Sequence, residues 1–278
     1  MKKFVRYNIE AGDESENDII VAYLSDLGID AFEEQESSLV ASGKNEEVLE
    51  DEVEQFLSSR GIKFEKALVE DQNWNAVWES SFEPVIIEDF LGIRAHFHEP
   101  VSGVEHEIVI TPKMSFGTGH HATTWLMVQL MREIEFTGKT VFDFGTGTGL
   151  LAVLAERLGA NKVLAIDNDE WSIRNAEENL KMNGCSKIEL RLIDQPPAGA
   201  KFDVILANIN KHILLEQMPS VSALASSGSI VLLSGLLAAD EFDIAVSAAY
   251  HSLEYIKKEE KNGWIALFFK KGEGEKAN

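Results

Sequence analysis

A glycine-rich turn between an apolar strand and a helix constrains the fold of this chain more than any other sequence feature. Residues 141–150 read VFDFGTGTGL, with glycine at positions 145, 147 and 149. Glycine at alternate positions lets the main chain turn sharply and lie directly against a ligand. Asp167 ends the next apolar stretch, where a carboxylate can accept both hydroxyl groups of a ribose. Together these features predict a nucleoside-binding site at one end of an open α/β sheet.

Apolar strands alternate with amphipathic helices from residue 140 onward, which is typical of a parallel sheet with helices on both faces. The predicted strands are 140–144, 162–166, 188–192, 202–207 and 229–234, and the predicted helices are 121–133, 150–158, 170–182, 213–225 and 238–248. Segments 252–258 and 263–269 have no helix between them and predict an antiparallel hairpin at the sheet edge. The pattern predicts an α/β, Rossmann-like domain.

The first seventy residues predict a separate, smaller α+β domain. The predicted strands are 2–10, 31–34, 38–42 and 62–69, and the predicted helices are 18–27 and 46–60. This β-α-β-β-α-β order is that of a ferredoxin-like sandwich. Residues 70–84 contain Trp74 and Trp78 at helical spacing and predict a connector helix. We therefore expect a domain over 1–69, a linker helix over 70–84 and the Rossmann-like domain over 85–278.

Composition excludes several classes of protein. Of the 278 residues, 25 are Lys or Arg and 47 are Asp or Glu, so the formal net charge is −22. Such a surface repels phosphate backbones and attracts a basic protein, although solubility alone also explains it. The single cysteine, Cys185, excludes a disulfide framework and a multi-thiolate zinc site. The longest apolar stretch, 230–239, is about half the length of a membrane-spanning helix. We expect a soluble, cytoplasmic protein without a membrane or nucleic-acid partner.

The spacing of the glycines favours one class of nucleoside cofactor. A dinucleotide-binding turn has the pattern G-x-G-x-x-G and leaves the helix N-terminus to the pyrophosphate. Here the spacing is G-x-G-x-G, and Asp143 precedes it with a carboxylate that would repel a pyrophosphate. The same carboxylate suits a cation. S-adenosylmethionine carries a sulfonium and an ammonium group, so it fits this motif better than NAD.

A second polar motif, Asn208-Ile209-Asn210, follows the predicted strand 202–207. Ligands of open α/β sheets bind outside the carboxyl ends of the strands, which places Asn208 near Gly145 and Asp167. Asparagine is also a favoured helix cap, so Asn208 is equally explained as the cap of a helix that starts at Lys211. Position alone leaves both interpretations open.

A third motif is the loop SFGTGHHATT at residues 115–124. Its glycines and small hydroxyl residues suit a hinged loop that closes over a cofactor. The adjacent histidines, His120 and His121, have no cluster of carboxylates or thiolates nearby in the sequence, so a metal site is not predicted.

These residues resemble a known family, the PrmA methyltransferases, which modify the eleventh protein of the large ribosomal subunit. The resemblance covers the whole chain. It is carried by the loop at 115–124, which is similar to the family's AFGTGTHPTT, by DFGTGTG at 143–149, by LAIDND at 164–169 and by Asn208-Ile209. Two positions depart from the family pattern: Ala122 stands in place of proline and Asn210 in place of leucine. We expect Ala122 to loosen the loop at 115–124. We expect Asn210 to alter how the target amine is bound.

The resemblance implies a class I, S-adenosylmethionine-dependent methyltransferase domain behind a ferredoxin-like domain that recognises the substrate. It implies methylation of lysine side chains and of the N-terminal amine of a basic large-subunit ribosomal protein. The predicted cofactor-binding residues are Thr123, Thr124, Gly145, Gly147, Gly149, Asp167 and Asn208. Asn208 is also the predicted catalytic residue, which orients the amine, and no metal is expected.

Two other functions compete with this one. Methyltransferases of adenine or glutamine resemble one another in an Asn/Asp-Pro-Pro-Tyr motif whose aromatic ring stacks on a planar target. The corresponding residues here, 208–211, contain no proline and no aromatic residue. A non-catalytic adaptor that binds the ribosomal protein is the second alternative, and the intact glycine turn, Asp167 and Asn208 argue against it.

Overall fold

A computed structural model of the chain describes residues 3–10, 14–29, 31–35, 38–45, 48–70, 82–113 and 117–272. The chain divides into two compact units, Met1–Val77 and Trp78–Asn278. Residues 71–81 of the predicted connector helix 70–84, with Trp74 and Trp78, lie outside the described residues, whereas Glu70 ends a strand and 82–84 are not helical. In the described part of the chain, no helix combines the length and the apolar character needed to cross a membrane.

The first unit is a four-stranded antiparallel sheet with two helices. The elements are β1 (Lys3–Glu10), α1 (Glu14–Asp26), β2 (Ala31–Gln35), β3 (Ser38–Lys44), α2 (Glu50–Ser59) and β4 (Phe64–Glu70), and the sheet order is β2-β3-β1-β4. Strand β1 alternates between buried residues such as Val5 and Tyr7 and exposed residues such as Arg6. This period of two places the apolar side chains in one core with α1 and α2. The ferredoxin-like prediction is confirmed.

The second unit contains the large sheet. Its strands are β8 (Thr140–Phe144), β9 (Lys162–Asp167), β10 (Ile188–Leu192), β11 (Phe202–Asn208), β12 (Ala225–Leu237), β13 (Leu253–Lys261) and β14 (Trp264–Lys271). Its helices are α3 (Ala122–Arg132), α4 (Leu150–Arg157), α5 (Glu170–Met182), α6 (Lys211–Leu224) and α7 (Glu241–Tyr250). The strand order is β10-β9-β8-β11-β12-β14-β13. Strands β8 to β12 are parallel, whereas β14 and β13 are antiparallel at the edge. The Rossmann-like fold and the edge hairpin are confirmed.

A small sheet of β5 (Val85–Ile87), β6 (Leu91–Ala95) and β7 (His106–Ile110) precedes the large one. A buried asparagine, the C-cap residue Asn183 of α5, holds β7 in place. Its side chain accepts a hydrogen bond from the main-chain N–H of Val109 at 3.0 Å and donates one to the Val109 carbonyl at 2.6 Å. These bonds satisfy the main-chain groups of Val109, on a side of β7 where none of the strands that the structure describes pairs with it.

Several boundaries differ from the predictions for local reasons. Helix α6 begins at Lys211, two residues before its first apolar residue, because periodicity does not reveal a polar first turn. Strand β12 extends back to Ala225, where the Ser229 hydroxyl donates to the Phe202 carbonyl at 2.7 Å. The predicted helix 238–248 is a 3₁₀ turn over Ala238–Asp240 followed by α7. Helix α2 is shorter than predicted and begins at Glu50.

Candidate active site

A cavity of about 360 Å³ opens in the second unit where β8, β9, β11 and β12 end. Its size falls within the range of small-molecule sites. The cavity is lined by His121, Gly145, Gly147, Asp167, Asn168, Ser172, Asn208, Ile209, Asn210, Ile213, Gly235 and Trp264. Four of the predicted cofactor-binding residues, Gly145, Gly147, Asp167 and Asn208, therefore meet in one place, and they come from three different strand ends.

The glycine turn after β8 depends on main-chain conformations that other residues rarely adopt. Gly145 has a φ of +74° and Gly147 a φ of +53°. A Cβ at Gly145 would overlap Cγ2 of Ile209. The Gly147 N–H donates to Oδ2 of Asp167 at 2.9 Å, which connects the turn to the end of β9. The turn thus leaves bare main chain at the cavity wall.

Asp167 is the last residue of β9 and is half-buried at the cavity wall. In addition to the bond from Gly147, its Oδ1 accepts the N–H of Asp169 at 3.1 Å. Each carboxylate oxygen has further acceptor capacity after one hydrogen bond. The carboxylate is therefore held in a fixed orientation and can still accept ligand hydroxyl groups.

Asp143 lies within β8 and is only 1% exposed, and it does not belong to the cavity wall. Its Oδ2 accepts the Thr146 hydroxyl at 2.6 Å, and its Oδ1 has no hydrogen-bond partner among the described residues. Burial raises the pKa of this carboxyl group to about 7, and the negative charge of Asp167 acts in the same direction. Asp143 is therefore positioned beneath the turn, as a buried group that titrates near neutral pH.

The Asp143→Asn variant is expected to flatten the pH dependence of the free energy of unfolding. The carboxyl group binds its proton more tightly in the folded protein than in the unfolded chain, so stability falls as rising pH removes that proton. Between about pH 5 and about pH 8 the wild type should lose roughly 2 kcal/mol relative to the variant. Urea unfolding of both proteins at the two pH values measures this difference. Identical pH dependence would contradict the assignment.

Asn208 is the last residue of β11, lines the cavity and is 8% exposed. Its Oδ1 is buried and has no hydrogen-bond partner among the described residues. The alternative role as a helix cap is wrong, because Asn210 occupies the N-cap position of α6 with an extended conformation. A buried acceptor without a partner at a cavity wall can accept a hydrogen bond from a ligand, and contact of Asn208 with a cofactor or substrate stays a prediction.

The structure does not bring three predicted cofactor-binding residues to the cavity wall. Thr123 is fully buried, and its Oγ1 lies 2.8 Å from Nδ1 of His121. Thr124 is also buried, with no partner for its Oγ1 in the described part of the chain. Gly149 is the N-cap of α4, where a Cβ would lie 3.2 Å from that of Ala176. These residues support α3 and α4 next to the cavity, and their contact with a cofactor stays a prediction.

Sequence reasoning did not identify several residues of the wall as ligand contacts. They are Asn168, Ser172, Ile209, Ile213, Gly235 and Trp264. The direct neighbours of Asp167 and Asn208, namely Asn168 and Ile209, could have been found by extending each motif by one residue. Trp264 could not, because it reaches the site through pairing of β14 with β12, in which it lies opposite Leu237.

Two aromatic rings meet at the cavity wall. The rings of His121 and Trp264 lie edge to face, with centroids 4.6 Å apart. His121 also caps α3, because its Nδ1 accepts the N–H of Thr123 at 3.3 Å. Among the residues that the structure describes, no group of three or more His, Cys, Asp or Glu side chains is arranged to hold a metal ion. The wall therefore combines polar acceptors with aromatic and aliphatic surface.

Comparison with known proteins agrees with this geometry. Residues 8–272 match the family described as ribosomal protein L11 methyltransferase (PrmA). A protein of that name from Bacteroides fragilis is 39% identical over 264 residues, which are 92% of this chain and 94% of that protein. One from Chlorobaculum parvum is 39% identical over 81% of this chain and 82% of its own length. A crystal structure of ribosomal protein L11 methylase from Lactobacillus delbrueckii subsp. bulgaricus matches 69% of this chain and all of that chain, with a TM-score of 0.64 and 30% identity.

The family match spans both units, and the solved structure shares its fold with more than two thirds of this chain. The resemblance first seen in the loop at 115–124, the glycine turn and Asn208-Ile209 is thereby confirmed over nearly the whole sequence. This chain belongs to the ribosomal protein L11 methyltransferase (PrmA) family.

Proposed function

We propose that this protein transfers methyl groups from S-adenosylmethionine to amino groups of a basic large-subunit ribosomal protein. The proposed acceptors are lysine side chains and the N-terminal amine, which the resemblance in the sequence motifs implies. The observation that carries the proposal is the unpartnered Oδ1 of Asn208, buried at the wall of the cavity that also holds Asp167 and the glycine turn. A neutral acceptor in that position suits an amine rather than a phosphate or carboxylate.

The residues at the cavity fit the cofactor. Asp167 is oriented to accept ribose hydroxyl groups, and Gly145 and Gly147 leave room for a ligand against the main chain. The Asp167 carboxylate at the cavity wall gives this end of the sheet a negative potential that favours a cationic ligand. When bound, S-adenosylmethionine supplies an electrophilic methyl group on a sulfonium.

Asn208 orients the amine without serving as its base. An amide oxygen accepts a hydrogen bond from an N–H but does not take up the proton, so it directs the nitrogen lone pair away from itself. A lysine amine has an ordinary pKa of about 10.4, and transfer into a partly buried site beside positive charge lowers it. Ile209, Ile213 and Trp264 supply the apolar surface that excludes water there.

The first unit is proposed to recognise the protein substrate, since the cavity and its lining residues belong to the second unit alone. The net charge of −22 favours encounter with a basic protein. A ribosomal substrate places the enzyme in the cytoplasm. No nucleic acid or membrane takes part in this proposal.

Intact mass of the purified ribosomal protein, measured after incubation with enzyme and S-adenosylmethionine, tests the proposed function. Each methyl transfer adds about 14 Da, the mass of one methyl group replacing one hydrogen atom. Peptide mapping then locates the modified amines. An unchanged mass, with the cofactor bound, would support the non-catalytic adaptor instead.

Replacing Asp167 with alanine is expected to weaken binding of S-adenosylmethionine by about 1–3 kcal/mol. The substitution leaves the ribose hydroxyl groups without their acceptor and removes the bond from the Gly147 N–H. Calorimetric titration measures the affinity. Glu170→Ala is the matched control, because the exposed Glu170 side chain pairs with Arg174 and does not line the cavity. The control should lose less than about 1 kcal/mol of stability and retain its cofactor affinity. Equal affinity for Asp167→Ala and wild type would contradict the assignment.

A further inference from the structure

Thr148, the residue between the last two glycines of the turn, makes a contact that the cofactor site does not require. Its side chain is fully buried. Its hydroxyl donates to the main-chain carbonyl of Gly117 at 2.6 Å, across 31 residues of sequence. Because the side chain is absent from the cavity wall, its role differs from that of Gly145 and Gly147.

The 117–121 segment fits closely against the second unit at this contact. Gly117 has a φ of +96°, and a Cβ there would lie 3.0 Å from Oγ1 of Thr148. Gly119 has a φ of +97°, and its Cβ would lie 2.5 Å from Cδ1 of Ile93. Both glycines are therefore needed for the close approach. The hydrogen bond from Thr148 is the polar contact that fixes the start of the segment.

A second contact joins the same turn to the chain that precedes the 117–121 segment. The side chain of Asn179 donates to the Thr148 carbonyl at 2.8 Å, and its Oδ1 accepts the N–H of Thr111 at 2.7 Å. Asn179 is fully buried. Thr111 and Gly117 are thus both tied to residue 148, one through Asn179 and the other directly.

The 117–121 segment ends at His121, which lines the cavity, caps α3 and packs its ring against Trp264. A shift of Gly117 therefore moves the aromatic part of the cavity wall relative to Asn208. We propose that Thr148 is a positioning residue of the methyl-transfer reaction: its hydroxyl holds the 117–121 segment so that His121 and Trp264 shape the amine-binding part of the cavity.

This inference rests on the proposed function. A positioning role predicts that a Thr148 variant loses turnover but still binds the cofactor. Thr148→Val keeps the branched shape and the main-chain acceptor for Asn179, and replaces the hydroxyl donor with a methyl group that cannot donate a hydrogen bond to the Gly117 carbonyl. We expect kcat to fall by about tenfold or more, because small misplacements in an active site have large effects on rate. The dissociation constant of S-adenosylmethionine should change less than about threefold, since the glycine turn and Asp167 remain. Thr148→Ser retains the hydroxyl group and should restore kcat.

A double-mutant cycle with His121→Asn tests whether Thr148 acts through His121. Asparagine preserves the N-cap of α3 and removes the imidazole ring. If Thr148 acts through that ring, His121→Asn lowers kcat, and adding Thr148→Val lowers it by less than about threefold more. All kinetics are measured well below the melting temperature of each variant, so that a loss of stability alone leaves kcat unchanged.

The outcomes are distinct. Absence of methyl transfer by the wild-type protein in the same assay refutes the proposed function and with it this inference. Given an active wild type, an unchanged kcat for Thr148→Val overturns the positioning role alone. Failure of Thr148→Ser to restore kcat, or losses that multiply in the double variant, also overturns it. A large kcat loss with rescue by serine and a non-additive cycle supports it.

Discussion

Replacing Gly235 with alanine is expected to lower kcat by about 100-fold, although Gly235 lies in none of the sequence motifs. Gly235 is in β12, has a φ of +83° and lines the cavity. A Cβ there would overlap the carbonyl of Ile209 and lie 2.8 Å and 3.0 Å from its C and N atoms. These are main-chain atoms and cannot rotate away, so the segment that carries Asn208 must shift. Displacement of a positioning group by about 1 Å has rate effects of this size.

Gly228→Ala is the matched control for this substitution. Gly228 lies in the same strand with a φ of +81°, and a Cβ there would have no atom within 4 Å. Both variants therefore share the conformational strain of alanine at positive φ, about 1 kcal/mol of stability. Steady-state methylation and thermal unfolding separate the two effects. Similar kcat values for the two variants would show that strain, and not contact with Ile209, explains any loss.

The fold of the second unit follows from sequence periodicity because its central strands β8, β9 and β11 are buried almost throughout and form apolar runs between helical segments. The strand β8 and the glycine turn were predicted at the positions that the structure shows. The chemical meaning of the turn also follows from spacing, since Asp167 ends the adjacent strand and accepts the Gly147 N–H. The sequence therefore predicts contacts between motifs that are separated by one helix and one strand.

The sequence does not predict contacts between parts of the sheet that are distant along the chain. Trp264 enters the site through antiparallel pairing with the end of β12, and Gly235 is significant because Ile209 crosses over it. Neither residue has a neighbour in sequence that signals a ligand. Asp143 was expected near a cationic ligand, yet it lies buried beneath the turn, because the cavity opens beyond the carboxyl end of β8 whereas Asp143 lies within the strand.

The Asn208→Ala variant is expected to lose about 100-fold or more in kcat/KM for the ribosomal substrate. The variant lacks the only side-chain acceptor that we assign to the amine, so the nitrogen lone pair is no longer directed. Because Oδ1 of Asn208 has no partner in the described part of the chain, its removal breaks no hydrogen bond at that atom. The melting temperature should therefore change little. Asn210→Ala, at the exposed rim of the same cavity, should have a much smaller effect.

The Asn208→Asp variant distinguishes orientation from general-base catalysis. A carboxylate at this position attracts the ammonium form of lysine and raises its pKa, so less of the bound amine is in the reactive form near pH 7. If Asn208 orients a neutral amine, KM should fall, kcat should fall, and the rise of kcat with pH should move to higher pH. If the rate were instead limited by removal of a proton from the amine, the carboxylate of Asp at position 208 would act as a general base and kcat would increase. Measurement of kcat from about pH 6 to about pH 10 decides between them, and a raised kcat at neutral pH would refute the role assigned to Asn208.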